Sequence, residues 1–289
     1  MNGILLIDKA AGWTSSDVVV KLKGILHERR IGHSGTLDPM ATGLLVVFVG
    51  RATRAVEFAE HDKKRYRASL RLGLTTDTQD ITGNILETKS VQITEEQLED
   101  TLTRFRGEQM QLPPMYSAIR VQGKRLYDIA RKGGEVERAP RPVTIHALAL
   151  AGREGEDWLL DVTCSKGTYI RTLCHDIGQS LGCGGCMSAL RRTGAGGFSL
   201  EDAYTLETVQ RLRDEGTVES CLLPVDSLFS REMRCTASDR EEARIRCGAD
   251  YGTALPDGTY RVYNEKSAFL MLGRAENGVM HTIKSFFEV

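Results

Sequence analysis

Residues 32–49 read GHSGTLDPMATGLLVVFV, a glycine-bracketed loop that runs straight into the apolar stretch Leu44–Val49. That uninterrupted stretch has the pattern of a strand buried on both faces. The loop holds one acid, Asp38, with Gly32, Gly35 and Gly43 around it and Pro39 fixing the backbone just after it. A rigid fold presents a single side chain at the base of a cleft in this way. The loop has neither the GxxxxGK[ST] spacing of a phosphate loop nor a GxGxxG pattern. Spacing alone leaves two readings open: a positioned acid acting as nucleophile or base, and an aspartate that only caps a turn.

Working outward, Ile4–Ile7 is a short apolar strand. Ser15 or Ser16 is placed to cap a helix with Val18, Leu22, Ile25 and Leu26 on one face. Tyr66, Ala68, Leu70 and Leu72 alternate with Arg67, Ser69 and Arg71, which predicts a half-buried strand with a basic outer face. Thr94 and Gln97 form a capping box with Ile93 and Leu98 as its staple, opening a helix that carries Leu98, Leu102 and Phe105. Pro113-Pro114 breaks the pattern, and residues 112–142 form a polar, basic insertion. Trp158, Leu160, Val162 and Cys164 mark another strand, and Ile170, Leu173, Cys174, Ile177 and Leu181 an amphipathic helix ending at Gly182. Residues 205–213 form a further short helix. From about residue 231 a small β-rich module follows. The fold class is α+β, with residues 1–230 as a large first domain and 231–289 as a small second one.

The bulk numbers exclude several classes. With 41% hydrophobic and 27% charged residues over 289 positions, the chain is globular rather than disordered or fibrous. The run 44–49 is far short of the roughly 20 residues that span a bilayer. The start MNGILLIDKAAGW reads as a buried strand, not a signal peptide, so a cytoplasmic location without membrane contact is expected. Seven scattered cysteines do not make a disulfide framework, and the Cys183/Cys186 pair lacks the two further ligands of a structural zinc. Net charge is −1, yet base-rich clusters stand out locally. Lys63, Lys64, Arg65, Arg67 and Arg71 lie within nine residues, and residues 120–141 hold seven Lys or Arg against three acids. Such clusters are either solvated faces or phosphate-binding surfaces.

These stretches carry a resemblance. GHSGTLDPMATGLL resembles the catalytic motif of the TruB family of pseudouridine synthases. GILLIDKAAGWTSSDVV (3–19) resembles the family's N-terminal signature, with Ala10 where a Pro often stands. DKKRYRASLRLGLTTDTQDITG (62–83), LPPMYSAIRVQGKRLYDIARKG (112–133), CSKGTYIRTLCHDIG (164–178) and MSALRRTGAGGF (187–198) follow in the family's order. The module at 231–289 resembles its PUA-like RNA-binding tail.

The resemblance implies a pseudouridine synthase fold, a mixed and largely antiparallel sheet with flanking helices. It implies an isomerase that flips the T-loop uridine out of a tRNA T-arm and exchanges its C1′–N1 bond for C1′–C5, with no metal or other cofactor and no obligatory protein partner. Asp38 takes the catalytic role. Arg171 pairs with it, and an adjacent guanidinium is expected to lower the acid's pKa. Tyr66 stacks on the uracil and takes the C5 proton. His33 takes over space near the flipped base and helps push it from the stack, Lys64 contacts the backbone or buttresses the site, Leu190 closes an apolar wall, Tyr169 lies on the substrate side, and Asp80 contacts the RNA or holds the loop. Lys124 and Arg125 in the insertion grip the RNA. Two alternatives remain at this point: the same chemistry on another RNA, and an RNA-binding module that helps tRNA fold.

Overall fold

The computed structural model describes residues 1–59, 63–117, 119–121 and 123–287, and the side chains of Arg120, Lys124 and Arg125 lie outside the described set. The first elements are β1 (Gly3–Lys9), α1 (Ser15–Leu26), β2 (Ile31–Ser34) and β3 (Thr42–Val49). The cap of α1 is Thr14, not Ser15 or Ser16: its hydroxyl accepts from the Asp17 N–H at 3.0 Å while its own N–H donates to the Asp17 carboxylate at 2.9 Å. This frees the Ser15 hydroxyl for another task. The stretch 32–43 is also less of a loop than the glycines suggest, because β2 pairs antiparallel with β3, His33 opposite Val47.

Next come α2 (Val56–Ala59), β4 (Lys64–Leu72), β5 (Leu74–Thr76), β6 (Ile85–Thr88), α3 (Glu95–Arg104) and β7 (Gly107–Gln111). The Thr94/Gln97 capping box opens α3 as expected, and Ile93 packs on the same apolar cluster as Leu98. In the insertion, β8 (Arg120–Val121) and β9 (Lys124–Arg125) make a small hairpin leading into α4 (Leu126–Ala130). Both ends of the insertion are held in the main sheet, where Arg141 and Pro142 pair with Gln111 and Met110. Then follow β10 (Arg141–Glu154), β11 (Asp157–Cys164), α5 (Ile170–Ser180), β12 (Gly185–Ala195), β13 (Phe198–Ser199) and α6 (Leu206–Asp214).

The main sheet runs β1-β3-β12-β4-β11-β10-β7, with β2 beside β3 and β13 beside β12. Every pairing is antiparallel except β3 with β12. The continuous apolar character of β3 has two separate causes. Leu45, Val47 and Val49 pack with α1 and α6 residues, whereas Leu44, Val46 and Phe48 pack on the opposite face with the C-terminal module. Each such side chain contributes about 1.5–3 kcal/mol on burial.

The basic outer face expected of β4 is largely neutralised. Register places Arg67 opposite Asp161 and Arg71 opposite Asp157 of β11. Ion pairs form at 2.8 Å between Arg67 and Asp161 and at 2.5 Å between Arg71 and Asp157, with Glu156 also on Arg71 at 2.8 Å. These two arginines therefore satisfy their own sheet rather than standing free for phosphate.

The C-terminal elements are β14 (Met233–Thr236), α7 (Asp239–Arg246), β15 (Tyr251–Gly252), β16 (Gly258–Tyr263), β17 (Phe269–Glu276) and β18 (Val279–Ser285). They form a second sheet, β14-β16-β17-β18-β15, with its own apolar cluster. An aromatic cluster joins it to the first sheet: Phe58 meets Phe229 edge-on at 5.3 Å, Phe229 meets Phe286 at 5.9 Å, and Phe286 stacks on Phe269 at 5.3 Å. Lys284 and Glu57 add an ion pair across the same junction at 2.7 Å. All seven cysteines are free, Cys183 and Cys186 among the buried ones. Among the described residues no helix is long and apolar enough to cross a membrane.

Glycine is required where β3 begins. Gly43 has φ +96, and a Cβ there would stand 2.3 Å from the Arg192 carbonyl oxygen of β12. Gly12 shares the left-handed backbone, φ +83, but has open space around it. Gly12→Ala should cost only the backbone strain, about 1 kcal/mol, and Gly43→Ala about 2 kcal/mol or more beyond that. Denaturant unfolding of both variants measures the difference, and equal losses would remove the steric argument.

Candidate active site

The residues 35–41 between β2 and β3 are anchored from below. Ser15, freed from capping, brackets Leu37: its hydroxyl accepts from the Leu37 N–H at 2.9 Å and donates to the Leu37 carbonyl at 3.3 Å. The Gly12 N–H donates to the Pro39 carbonyl at 2.8 Å, and the Ala41 N–H closes a turn on the Asp38 carbonyl at 3.0 Å. Lys9, 1% exposed, points its ammonium at the carbonyls of Trp13 (2.7 Å), Ala10 (3.0 Å) and Pro39 (3.4 Å). Burial pushes that ammonium down to about 8, with the charge of Asp38 pulling the other way. The loop therefore delivers Asp38 to a fixed place, and the acid does not serve as a mere turn cap.

Arg171 lies on the first turn of α5 and is 6% exposed. Its Nε meets one Asp38 carboxylate oxygen at 2.9 Å, and a terminal nitrogen donates to the other at 3.3 Å. The same guanidinium donates to the carbonyls of Tyr116 (2.8 Å) and Thr78 (3.3 Å), and stands 3.8 Å from Asp80. Asp80 is buried and accepts from Thr78 Oγ1 (2.9 Å), Thr82 N–H (2.9 Å) and Thr82 Oγ1 (2.6 Å). It holds its own loop and balances Arg171. Two carboxylates on one guanidinium are favourable only because its remaining N–H groups are also satisfied.

The expected lowering of Asp38 by Arg171 is present but does not prevail. Burial pushes the Asp38 carboxyl above its ordinary value, Arg171 and Lys9 pull it back, and the charge of Asp80 adds to the rise. The side chain keeps 37% of its surface open, so solvent moderates the shift.

The other predicted residues fall around this core. Tyr66 is half-buried on β4, opposite Val162 on one side and Arg192 on the other. Burial pushes its phenol up, and the Arg192 guanidinium opposes that rise. Lys64 begins the same strand and is 7% exposed. Leu190 is 8% exposed and packs with Leu37, Ala41 and Ala68 in the main cluster. Tyr169 precedes α5; its N–H donates to Gln111 Oε1 at 2.8 Å and its carbonyl accepts from Gln111 Nε2 at 3.0 Å. Burial pushes its phenol up as well. His33 sits on β2 rather than in a free loop. The side chains of Lys124 and Arg125 lie outside the described residues. Arg138, counted in the same basic stretch, turns inward to the Pro113 carbonyl at 3.0 Å.

Several contributors carry no sequence signal of their own. Lys9, Ser15, Gln79, Gln111, Tyr116 and Arg192 act through main-chain contacts or burial, which local pattern does not display. Gln79 adopts φ +64, and its side chain accepts from Thr172 Oγ1 of α5 at 2.8 Å. The chemistry available is that of a held, partly open carboxylate near a tyrosine, with the root of the insertion alongside at Tyr116.

Comparison with known proteins gives the family. Residues 23–170 match the model of the TruB family pseudouridylate synthase N-terminal domain, and residues 171–230 that of the tRNA pseudouridylate synthase B C-terminal domain. The chain is 39% identical over 292 residues to the tRNA pseudouridine synthase B of Clostridium kluyveri, covering 99% of this chain and 100% of that protein. It is 49% identical over 226 residues to the tRNA pseudouridine synthase B of Alkaliphilus oremlandii, covering 78% and 75%. Among solved structures it is similar to a chain of a Cbf5-Nop10-Gar1 complex, with a TM-score of 0.76, 26% identity and coverage of 99% and 85%.

The electrostatics give a direct test. The Asp38 carboxyl should titrate above the ordinary value of about 4, and Arg171→Met should move it further up, because the largest opposing charge is removed. Carboxyl ¹³C NMR with labelled aspartate measures both. A titration at or below the ordinary value in the unaltered protein would sink this account of the site.

Proposed function

This chain belongs to the TruB family of pseudouridylate synthases, and from that premise we propose that it isomerises the T-loop uridine of tRNA to pseudouridine with Asp38 as the catalytic residue. The observation that carries the proposal is the Asp38 carboxylate itself, gripped by Arg171 at 2.9 and 3.3 Å yet 37% open to the cleft. A group that only stabilised the fold would not need that opening.

The reaction conserves atoms and electrons. The C1′–N1 bond breaks, the uracil turns, and a C1′–C5 bond forms. N1 then gains a proton and C5 loses one, so no redox partner or group donor is consumed. Asp38 must be ionised to act, and Arg171 favours that form while fixing both carboxylate oxygens. The target uridine must leave its stack, which costs a few kcal/mol. His33 fills the space it vacates. Tyr66 offers a ring for the flipped base to stack on and an oxygen to receive the C5 proton. Leu190 and Tyr169 line the pocket, with Lys64 and Asp80 as its inner supports. The insertion, with Lys124 and Arg125, grips the T-arm backbone, and residues 231–289 act as a PUA-like RNA-binding domain. Arg67, Arg71 and Arg138 are left out of the phosphate contacts, because acids or carbonyls already hold them. The chain works without an obligatory protein partner.

Incubation with an unmodified tRNA transcript, followed by carbodiimide-dependent primer extension, tests the reading. One stop at the T-loop uridine is expected, absent with Asp38→Asn while tRNA binding persists. Tyr66→Phe should slow conversion by about 10²–10⁴-fold. Stops elsewhere, or in ribosomal RNA alone, would reassign the substrate. An active Asp38→Asn variant would overturn the catalytic assignment.

A further inference from the structure

Arg192 heads the fully enclosed side chains of the molecule by size, at 1% exposed. Its Nε donates to the Leu44 carbonyl at 2.6 Å and a terminal nitrogen to the Gly35 carbonyl at 2.9 Å. A Cβ on Gly35 would stand 3.2 Å from its other terminal nitrogen, so the guanidinium lies directly beneath the loop that carries Asp38. Among the described residues no carboxylate forms an ion pair with it. Carbonyls take two of its N–H groups but leave its charge unbalanced, and an unbalanced buried charge favours any neighbour that turns negative.

That neighbour is Tyr66. Register sets Tyr66 directly opposite Arg192 across the β4–β12 pair, and directly opposite residues project from the same face. Burial raises the Tyr66 phenol overall, and the positive charge of Arg192 is the largest influence opposing that rise. A guanidinium has five N–H donors and no acceptor. Toward Tyr66 it can only donate, so a hydrogen bond between the two has the phenolic oxygen as its acceptor.

The last step of the isomerisation needs such a group. Once C1′ has bonded to C5, that carbon still carries its hydrogen. The C5–H bond must break, its electron pair returning to the ring as the C5–C6 double bond and its proton passing to a base. We propose that Arg192 is a positioning residue for this step, fixing the Tyr66 oxygen at the cleft floor and stabilising the phenolate that accepts the C5 proton. The phenol first releases its own proton to solvent through the open cleft, and N1 takes one up, so the exchange is neutral. The inference rests on the role given to Tyr66 above.

The test is single-turnover conversion of tRNA transcripts carrying C5-protiated or C5-deuterated uridine, followed across neutral to alkaline pH. The proteins are the unaltered chain, Arg192→Met, Arg192→Lys and Tyr66→Phe. Arg192→Met should react about tenfold or more slowly, with a larger deuterium effect and an alkaline rise moved to higher pH. Arg192→Lys, which keeps the charge, should fall between. A slowed Arg192→Met whose isotope effect and pH profile match those of the unaltered chain would overturn the proposal, since a purely structural loss leaves both unmoved. Should Arg192→Met not fold, the Arg192→Lys profile decides by the same criterion. If the deuterium effect grows in Tyr66→Phe but not in the Arg192 variants, Arg192 alone is wrong. If Tyr66→Phe also leaves it unchanged, the reading of Tyr66 fails first.

Discussion

The guanidinium of Arg171 is a buried positive charge, and a buried positive charge must be met by partners or it destabilises the fold by several kcal/mol. With its partners it ties together four separate parts of the chain. Asp38 arrives on the loop before β3, Asp80 and Thr78 on the turn after β5, Tyr116 at the root of the insertion, and Arg171 itself on α5. Satisfying one side chain therefore draws these four segments together. It also means that the surroundings of Asp38 are organised before any substrate arrives, which spares a reaction there the cost of ordering them.

Much of the fold was legible because it follows from hydrophobic period and end chemistry. The strand of Leu44–Val49, the alternation of Tyr66–Leu72, the Thr94/Gln97 box and the helix from Ile170 all announce themselves locally. What was not legible depends on distant partners. The central strand β12 contains Arg191, Arg192 and Gly194 and carries register shifts near Met187 and Arg192, so it shows no clean alternation. The long β10 is similarly irregular, shifted near Ile145 and Leu150. Ser15 looked like a helix cap, yet Thr14 supplies the cap and Ser15 holds Leu37 instead.

The site divides in the same way. Asp38, Tyr66 and Arg171 were found through the motifs around them, while Lys9, Gln79 and Arg192 were not, since their work is done on main-chain carbonyls or through neighbouring side chains. Charge counting misled in one respect. Arg67 and Arg71 belong to a dense basic run, but the acids opposite them on β11 claim both. The expectation for Asp38 was also incomplete: the arginine does lower its pKa, but burial raises it more.

The placement of β12 between β3 and β4, parallel to the first and antiparallel to the second, has a consequence for how the chain is made. Strands β3 and β4 are complete by residue 72, yet the strand that joins them ends at residue 195. During synthesis the emerging chain therefore holds two unpaired strand edges, and exposed edges invite pairing with other chains. Closing that gap is a long-range event, and such events are slow compared with local helix formation. At roughly 5–20 residues per second, translation leaves the sheet unclosed for several seconds. That interval is when a nascent chain of this topology has most need of a chaperone.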